Sequence, residues 1–224
     1  MQNASGSKIE PWPDDPHAQR ALVARAASLI RNGEVVAFPT DTVYGIAAYT
    51  WDPEAVQKLY VIKERPGHKA IALLLSGPDQ LPMVTDYRGE KMDRLARIFW
   101  PGGLTVVVPW REDILRSGVA SIPTVGVRVP DHVIPRAIIA EVGSPLATTS
   151  ANLSGAPSAV TAQEVDRQIG TRVALIIDGG SCPGGRDSTV VDLTTSPPTV
   201  RRPGAVPVEE LEAVLGPLKI DGKI

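Results

Sequence analysis

Apolar residues recur along the chain at two spacings, one typical of amphipathic helices and one of short buried strands. The segment that begins at Asp15 and Pro16 has apolar residues three and four positions apart and ends at Gly33. Aspartate followed by proline favours a helix start, and glycine favours a helix end. The apolar run at 35–38, bounded by Pro39, then predicts a buried strand.

The same alternation continues to the end of the chain. It predicts helices at 53–63, 89–100, 131–142, 161–169 and 207–215, and strands at 71–75, 105–108, 125–129, 145–148, 173–177, 189–193 and 199–201. Strands that alternate with helices indicate an α/β sheet, and the last two strands, predicted to pair as a hairpin, indicate that it is mixed. We expect one domain at 14–216, a flexible N-terminal segment at 1–13 and a C-terminal tail at 217–224.

Composition narrows the class of protein. The chain has 224 residues, 43% of them hydrophobic, and its 23 basic and 25 acidic residues give a formal net charge of −2. This balance argues against a general nucleic-acid coat protein, so we expect weak or no direct binding to nucleic acid. The run from Ala70 to Leu75 is far below the roughly 18 apolar residues of a membrane span, and 1–15 lacks the apolar core of a signal peptide. We therefore expect a cytoplasmic protein with no membrane association. A single cysteine, Cys182, excludes an internal disulfide.

Polar segments follow several predicted strands, at 39–45, 149–155 and 178–180. Ligands of open α/β sheets collect at the carboxyl ends of strands, where hydroxyl and amide groups can donate to phosphate or carboxylate oxygens. The alternative is that these residues only cap helices and form turns. Because such segments recur, the pattern favours an anionic ligand at the strand ends.

Cations cluster at the junction of the second helix and the next strand, in the segment 63–69, and again at Arg201 and Arg202. Either group could hold a polyanion, or could simply be a solvated surface. The chain has no GxxxxGK[ST] loop, no GxGxxG after a strand and no GxSxG elbow, and its histidines lack metal-ligand spacing. A nucleotide would therefore be held by side chains and scattered amides.

Longer sequence strings carry a family resemblance. FPTDTVYGIAA, KERP, PGGLTVVV, VGVRVPDH, TSANLSGAPSAVT, IDGG, DSTVVDL and VRRPG occur in this order between about residues 20 and 207. In this order they resemble the YrdC family, the threonylcarbamoyl-AMP synthases. The resemblance implies a twisted, mixed open sheet with flanking helices and a concave polar face. Because the chain ends at Ile224, we expect the short, single-domain form of the family.

The resemblance also implies a reaction. L-threonine, bicarbonate and ATP would give threonylcarbamoyl-AMP, pyrophosphate and water, with Mg²⁺ held mainly by the phosphates. A separate tRNA-threonylcarbamoyl transferase complex would then modify tRNA with N6-threonylcarbamoyladenosine. Because the threonine carboxylate, the carbamate and the triphosphate are all anionic, such a site must gather cations and hydrogen-bond donors. Attack on the α-phosphorus needs alignment and charge neutralisation more than a strong base.

Matching the family motifs position by position gives overlapping sets of site residues. The threonine set is Thr42, Arg128, Thr148 and Ser188; the ATP set is Arg65, Lys69, Thr124, Ser150, Ser158 and Arg202; the catalytic Lys-x-Arg and Ser-x-Asn signature is Lys63, Arg65, Ser150 and Asn152. No residue is assigned to a metal, and Arg201 is expected to be surface charge. The chain differs from many members at Ala70 and Ile71, and it has Leu74 where some members place a histidine near threonine.

Two other functions compete with this reading. One is an RNA-binding or ribosome-associated module without synthase activity, against which the net charge and the retained signature speak. The other is carbamoyl transfer of the hydrogenase-maturation kind, whose domain normally lies in a longer chain with zinc-binding cysteines. The single Cys182 argues against that second alternative.

Overall fold

The structure, a computed structural model, describes residues 8–65, 70–116 and 122–221. Within these residues the α-helices are α1 (Pro16–Arg31), α2 (Pro53–Lys63), α3 (Glu90–Phe99), α4 (Glu112–Arg116), α5 (Val133–Val142), α6 (Ala162–Ile169) and α7 (Val208–Leu215), with short 3-10 turns at Pro78–Met83 and Gly170–Arg172. The strands are β1 (Ile9–Pro11), β2 (Val36–Phe38), β3 (Gly45–Tyr49), β4 (Ala72–Leu74), β5 (Leu104–Pro109), β6 (Thr124–Arg128), β7 (Leu146–Ser150), β8 (Leu175–Asp178), β9 (Thr189–Asp192), β10 (Thr199–Arg202) and β11 (Lys219–Ile220).

The helices begin where the sequence provides a capping side chain. The carboxylate of Asp15 accepts a hydrogen bond from the backbone N–H of Ala18 at 2.7 Å, at the start of α1. Asp52 caps α2 in the same way, and Thr161 forms a capping box with Glu164 at the start of α6. Such caps satisfy backbone donors that the helix itself leaves unpaired. The predicted helices at these positions are confirmed.

The strands form one mixed sheet in the order β1-β8-β2-β3-β7-β4-β6-β5-β9-β10-β11. Parallel and antiparallel neighbours alternate irregularly: β4 and β6 are parallel, whereas β7 with β4 and β5 with β6 are antiparallel. The predicted hairpin of β9 and β10 is present. The expectation of an α/β fold with a mixed open sheet and flanking helices is therefore confirmed.

Helices cover both faces of the sheet. Val36 and Phe38 of β2 pack in the core under α1 and α5, whereas Val35 and Ala37 pack in the core under α2, α3, α6 and α7. This alternation follows from the two-residue period of a strand. No helix among the described residues is long and apolar enough to cross a membrane.

The sheet is larger than the sequence pattern predicts. β3 lies in its interior, but four of its five residues, GIAAY, are buried, so they show no alternation of apolar and polar positions. The segments 1–13 and 217–224 were expected to lie outside the domain, yet Ile9–Pro11 pairs with β8 and Lys219–Ile220 pairs with β10. Edge strands of two or three residues are too short to show periodicity. The predicted loop between β5 and β6 also contains α4.

Candidate active site

A cavity of about 390 Å³ lies on one face of the central strands. Alternate residues of five neighbouring strands form its floor: Thr148 and Ser150 on β7, Ala72 and Leu74 on β4, Gly126 and Arg128 on β6, Thr105 and Val107 on β5, and Ser188 and Val190 along β9. The residues between them, such as Val106 and Val127, pack in the core of the opposite face. Leu74 also belongs to the core under α1 and α5, so the cavity lies on the same face as these two helices.

Three polar segments meet at one end of the sheet, as the sequence predicts. The segments 39–45, 149–155 and 178–180 follow β2, β7 and β8, which run in the same direction, since β2 is parallel to β8, and β2 and β7 are both antiparallel to β3. Residues of the first two segments line the cavity. From these carboxyl ends the cavity extends over the face of the sheet.

Lys63 is the last residue of α2 and is only 1% exposed. Its ammonium donates to the backbone oxygens of Ser150 at 2.5 Å and Asn152 at 2.6 Å, and to Oδ1 of Asn152 at 2.9 Å. The Ser150 hydroxyl donates to the same Oδ1 at 2.6 Å. A buried ammonium needs such acceptors to compensate for lost hydration. The two halves of the Lys-x-Arg and Ser-x-Asn signature thus meet in one hydrogen-bonded group.

Arg65 lines the same cavity, two residues beyond Lys63. The residue between them, Glu64, has a left-handed backbone with φ of 53° and caps α2. Burial lowers the pKa of Arg65 from its ordinary value. The electrostatic interaction with Tyr60 opposes that lowering, and the positive charge of Arg202 lowers the pKa further. Such repulsion between cations is expected in a site that binds a polyanion.

Arg128 is held by three acceptors and is 6% exposed. It donates from Nε to the Gly102 carbonyl at 2.8 Å, from Nη1 to Oγ1 of Thr42 at 2.9 Å, and from Nη2 to Oδ1 of Asp41 at 2.6 Å. Burial lowers the pKa of Arg128 from its ordinary value, whereas the Asp41 carboxylate opposes that change. The planar guanidinium is therefore fixed in one orientation at the cavity wall.

A third group surrounds Ser188. Arg202 donates from Nε and Nη2 to the Ser188 carbonyl at 3.1 and 2.9 Å, and from Nη2 to its hydroxyl at 3.1 Å. That hydroxyl lies 2.8 Å from Oγ1 of Thr105. Asp187 accepts from the Ser158 hydroxyl at 3.1 Å and forms an ion pair with Arg202 at 3.3 Å.

Close approach of two backbone segments sets the geometry of this third group. A Cβ atom added to Gly204 would lie 2.3 Å from the Asp187 carbonyl oxygen and 2.6 Å from the Ser188 carbonyl carbon. Only glycine fits there without a shift of backbone. The RRPG turn after β10 can therefore pack directly on the segment before β9, which keeps Arg202 beside Ser188.

Ten of the twelve predicted site residues line the cavity: Thr42, Lys63, Arg65, Arg128, Thr148, Ser150, Asn152, Ser158, Ser188 and Arg202. Thr124 begins β6, paired with Pro109, and is not among the described residues that line the cavity. Lys69 lies outside the described residues. Arg201, expected to be surface charge, pairs with Asp192 and Asp221 and has a side chain 43% exposed.

Four further residues take part in the hydrogen-bonded groups around the cavity and were not predicted as site residues. Asp41 and Thr40 lie in the PTDTVYG string, where the acidic residue next to Thr42 was the available signal. Asp187 directly precedes Ser188 in the DSTVVDL string. Thr105 had no signal, since a lone threonine in a strand is common. Leu74, the departure noted above, lines the cavity as an apolar side chain.

Across the described ranges no group of three or more His, Cys, Asp or Glu side chains is placed to hold a metal ion. The donors around the cavity are mainly hydroxyls, amides and cations, which suit an anionic ligand rather than a metal ion.

Known proteins are similar to this chain in sequence and in fold. The family model Sua5/YciO/YrdC, described as "Telomere recombination", matches residues 28–204. Threonylcarbamoyl-AMP synthase of Bacillus subtilis is 42% identical over 200 residues, covering 89% of this chain and 58% of the relative. The enzyme of the same name from Pyrococcus abyssi is 40% identical over 195 residues, covering 87% and 57%.

Solved structures agree with the sequence comparison. The crystal structure of P. abyssi Sua5 complexed with L-threonine superposes with a TM-score of 0.88 at 37% identity, over 95% of this chain and 62% of that chain. The chain thus spans less than two thirds of the length of these relatives. From the matched family model and the shared fold, the chain belongs to the Sua5/YciO/YrdC family.

Proposed function

We propose that the chain is a threonylcarbamoyl-AMP synthase, which converts L-threonine, bicarbonate and ATP into threonylcarbamoyl-AMP, pyrophosphate and water. The observation that carries the proposal is the convergence of four cations, Lys63, Arg65, Arg128 and Arg202, around one cavity that is also lined by hydroxyl and amide groups. The relatives named as synthases, and the related structure that holds L-threonine, support it.

Arg128 is the proposed partner of the threonine carboxylate. A guanidinium has five N–H donors, and Arg128 uses three of them, on Gly102, Thr42 and Asp41. The remaining two belong to the terminal nitrogens, which suits both oxygens of one carboxylate. Thr148 on β7 and Ser188, directly before β9, also line the cavity and would offer hydroxyl groups to the same amino acid.

ATP would lie along the rest of the cavity. Arg65 and Arg202 supply positive charge, and Ser150 and Ser158 supply hydroxyl donors, so together they fit a triphosphate. We retain Lys69 as a proposed ligand from the resemblance alone, and we omit Thr124 because of its position outside the lining. Magnesium enters the proposal only with the triphosphate, and no residue is assigned to it.

The chemistry needs placement and charge balance. The threonine amine and bicarbonate combine to a carbamate with loss of water, and a carbamate oxygen then attacks the α-phosphorus. The new P–O bond forms as the bond to the β-phosphate oxygen breaks, and pyrophosphate leaves with that electron pair. Lys63 and Arg65 would counter the charge on the phosphoryl oxygens. Because Lys63 is fixed by Ser150 and Asn152, little reorganisation is required.

Burial of two of the four cations argues against an RNA-binding module. Lys63 and Arg128 are 1% and 6% exposed, so neither side chain can reach the backbone of a nucleic acid on the surface. Binding driven by phosphates requires accessible lysine and arginine. A small anionic substrate inside the cavity fits these residues better. The product would pass to a tRNA-threonylcarbamoyl transferase complex.

Pyrophosphate release tests the proposal. The protein is incubated with ATP and bicarbonate, with and without L-threonine, and quenched samples are examined for the mass of threonylcarbamoyl-AMP. Threonine-dependent release is expected to fall at least about a hundredfold in Arg202→Gln and to persist in Arg201→Gln, since Arg201 pairs with Asp192 and Asp221. A folded wild-type protein that releases no pyrophosphate with threonine would contradict the proposal.

A further inference from the structure

Asp187 is the only acidic side chain among the described residues that line the cavity. Its Oδ1 accepts from the Ser158 hydroxyl at 3.1 Å, and its Oδ2 lies 3.3 Å from Nη1 of Arg202. The side chain is 33% exposed, so it borders both protein and solvent. Asp187 therefore binds the same two groups that the proposed function assigns to the phosphates of ATP.

The Ser158 hydroxyl cannot serve two anions at once. A serine hydroxyl has a single hydrogen to donate, and in Ser158 it points to Asp187. Arg202 already donates from Nε and Nη2 to Ser188, which leaves Nη1, the nitrogen beside Asp187, for a further acceptor. A phosphate that takes the Ser158 hydrogen must displace the carboxylate, and a phosphate at Nη1 of Arg202 lies beside that carboxylate and repels it.

The backbone at Asp187 is hydrogen-bonded and closely packed, whereas its side chain borders solvent. Its carbonyl oxygen accepts from the backbone N–H of Ala205 at 2.9 Å, and Gly204 packs against the same carbonyl. Displacement therefore requires rotation of the side chain and not movement of the segment. The side chain borders solvent, which gives the released carboxylate room to rehydrate.

Asp187 also influences the other cations of the cavity. Burial lowers the pKa of Arg65 and of Arg128 from its ordinary value; the charge of Arg202 adds to that lowering, and the charge of Asp187 opposes it. The carboxylate thus offsets mutual repulsion among three arginines. An anionic ligand at the same place would do so as well.

We propose that Asp187 is an internal counter-anion, which competes with the phosphates of the nucleotide for Ser158 and Arg202 and so limits nucleotide affinity. This inference rests on the proposed function, since it takes ATP as the ligand of the cavity. The consequence is counter-intuitive: removal of a polar cavity residue strengthens binding. The same competition favours departure of pyrophosphate after the reaction, because the Asp187 carboxylate can then bind Ser158 and Arg202 again.

Isothermal titration of ATP, and separately of inorganic pyrophosphate, into Asp187→Asn tests the inference. The dissociation constant is expected to fall about threefold to tenfold relative to wild type. Asp93→Asn is the matched control, because it makes the same change in net charge at an exposed position of α3 that is not part of the cavity lining; its dissociation constant should stay within about twofold of wild type. Asp187→Ala serves as a second variant if Asp187→Asn does not fold.

Combination with Ser158→Ala distinguishes direct competition from a general change of charge. If Asp187 competes for the Ser158 hydroxyl, the gain in affinity shrinks when that hydroxyl is absent. If Asp187→Asn binds ATP with unchanged or weaker affinity, the inference is overturned. Binding of ATP by the wild-type protein would still support the proposed function in that case. If Asp187→Asn weakens ATP binding in the presence of Mg²⁺ but not in the presence of EDTA, the inference is overturned, and Asp187 has a metal-binding role instead. Failure of the folded wild-type protein to bind ATP would overturn both.

Discussion

Arg128 and Asp41 form a largely buried ion pair, in which Nη2 lies 2.6 Å from Oδ1 and the side chains are 7% and 17% exposed. The same Oδ1 accepts from the backbone N–H of Asp131 at 3.1 Å. Asp41 thus ties the segment after β2 to the segment after β6, and it holds the arginine fork against the cavity. Buried pairs of this kind contribute orientation more than net stability.

Asp41→Asn should weaken the use of threonine while sparing that of ATP. The amide keeps an acceptor for Arg128 and Asp131 but loses the charge that fixes the guanidinium. We expect the KM for L-threonine to rise about tenfold, with the KM for ATP within about twofold. Steady-state pyrophosphate release at varied concentrations of each substrate measures both. Equal loss for the two substrates would mean that Asp41 supports the fold and not the orientation of Arg128.

Lys63→Met should destabilise the fold and abolish turnover. Methionine preserves the bulk of the side chain but leaves the backbone oxygens of Ser150 and Asn152 without their buried donor. We expect the free energy of unfolding to fall by about 2–4 kcal/mol.

Lys58→Met on the same helix is the matched control for Lys63→Met. Lys58 is 46% exposed and pairs with Glu34 at 3.2 Å, so its loss should cost less than about 1 kcal/mol. Urea unfolding followed by circular dichroism compares the two variants. Similar costs at both positions would refute the structural part assigned to the Lys63 ammonium.

The sequence predicts the fold correctly where helices have capping residues and where the apolar positions recur with a clear period. Asp15, Asp52 and Thr161 mark helix starts that the structure retains. β3 was not predicted because Gly45–Tyr49 is buried on both faces and therefore shows no alternation of apolar and polar residues. The order of strands could not be read from spacing, since it follows from packing between distant segments.

The site depends on contacts between distant parts of the chain. Thr42 meets Arg128 across 86 positions, and Lys63 meets Ser150 across 87. Residue types and spacing alone indicated only an anionic ligand; the family resemblance identified which hydroxyls and cations to group. Neither the residue pattern nor the family resemblance assigned Asp187 to the site. Charge complementarity predicts cations around an anionic ligand, and so it does not predict a carboxylate among them.

Gly204→Ala should disturb both stability and nucleotide binding. The added Cβ would lie 2.3 Å from the carbonyl oxygen of Asp187, so the backbone around Ser188 and Arg202 must shift. We expect a loss of about 1–3 kcal/mol in the free energy of unfolding, together with weaker binding of ATP. Gly89→Ala is the control, because its Cβ would find its nearest atom at 3.9 Å. An unaltered unfolding midpoint in Gly204→Ala would contradict the close packing.

Cys182 should react slowly with thiol reagents in the folded protein. It is 6% exposed, and burial raises the pKa of its thiol from 9.0 to about 11, with the Asp41 charge acting in the same direction. The thiolate is the reactive form, so at pH 8 the two-unit shift alone reduces its population about a hundredfold. Because the folded pKa is the higher one, the fold favours the protonated thiol: this stabilisation is complete below pH 9 and is lost as the pH rises towards 11. Iodoacetamide labelling at pH 8, with and without guanidinium, measures the difference, and fast labelling of the folded protein would show the thiol to be accessible and ionised.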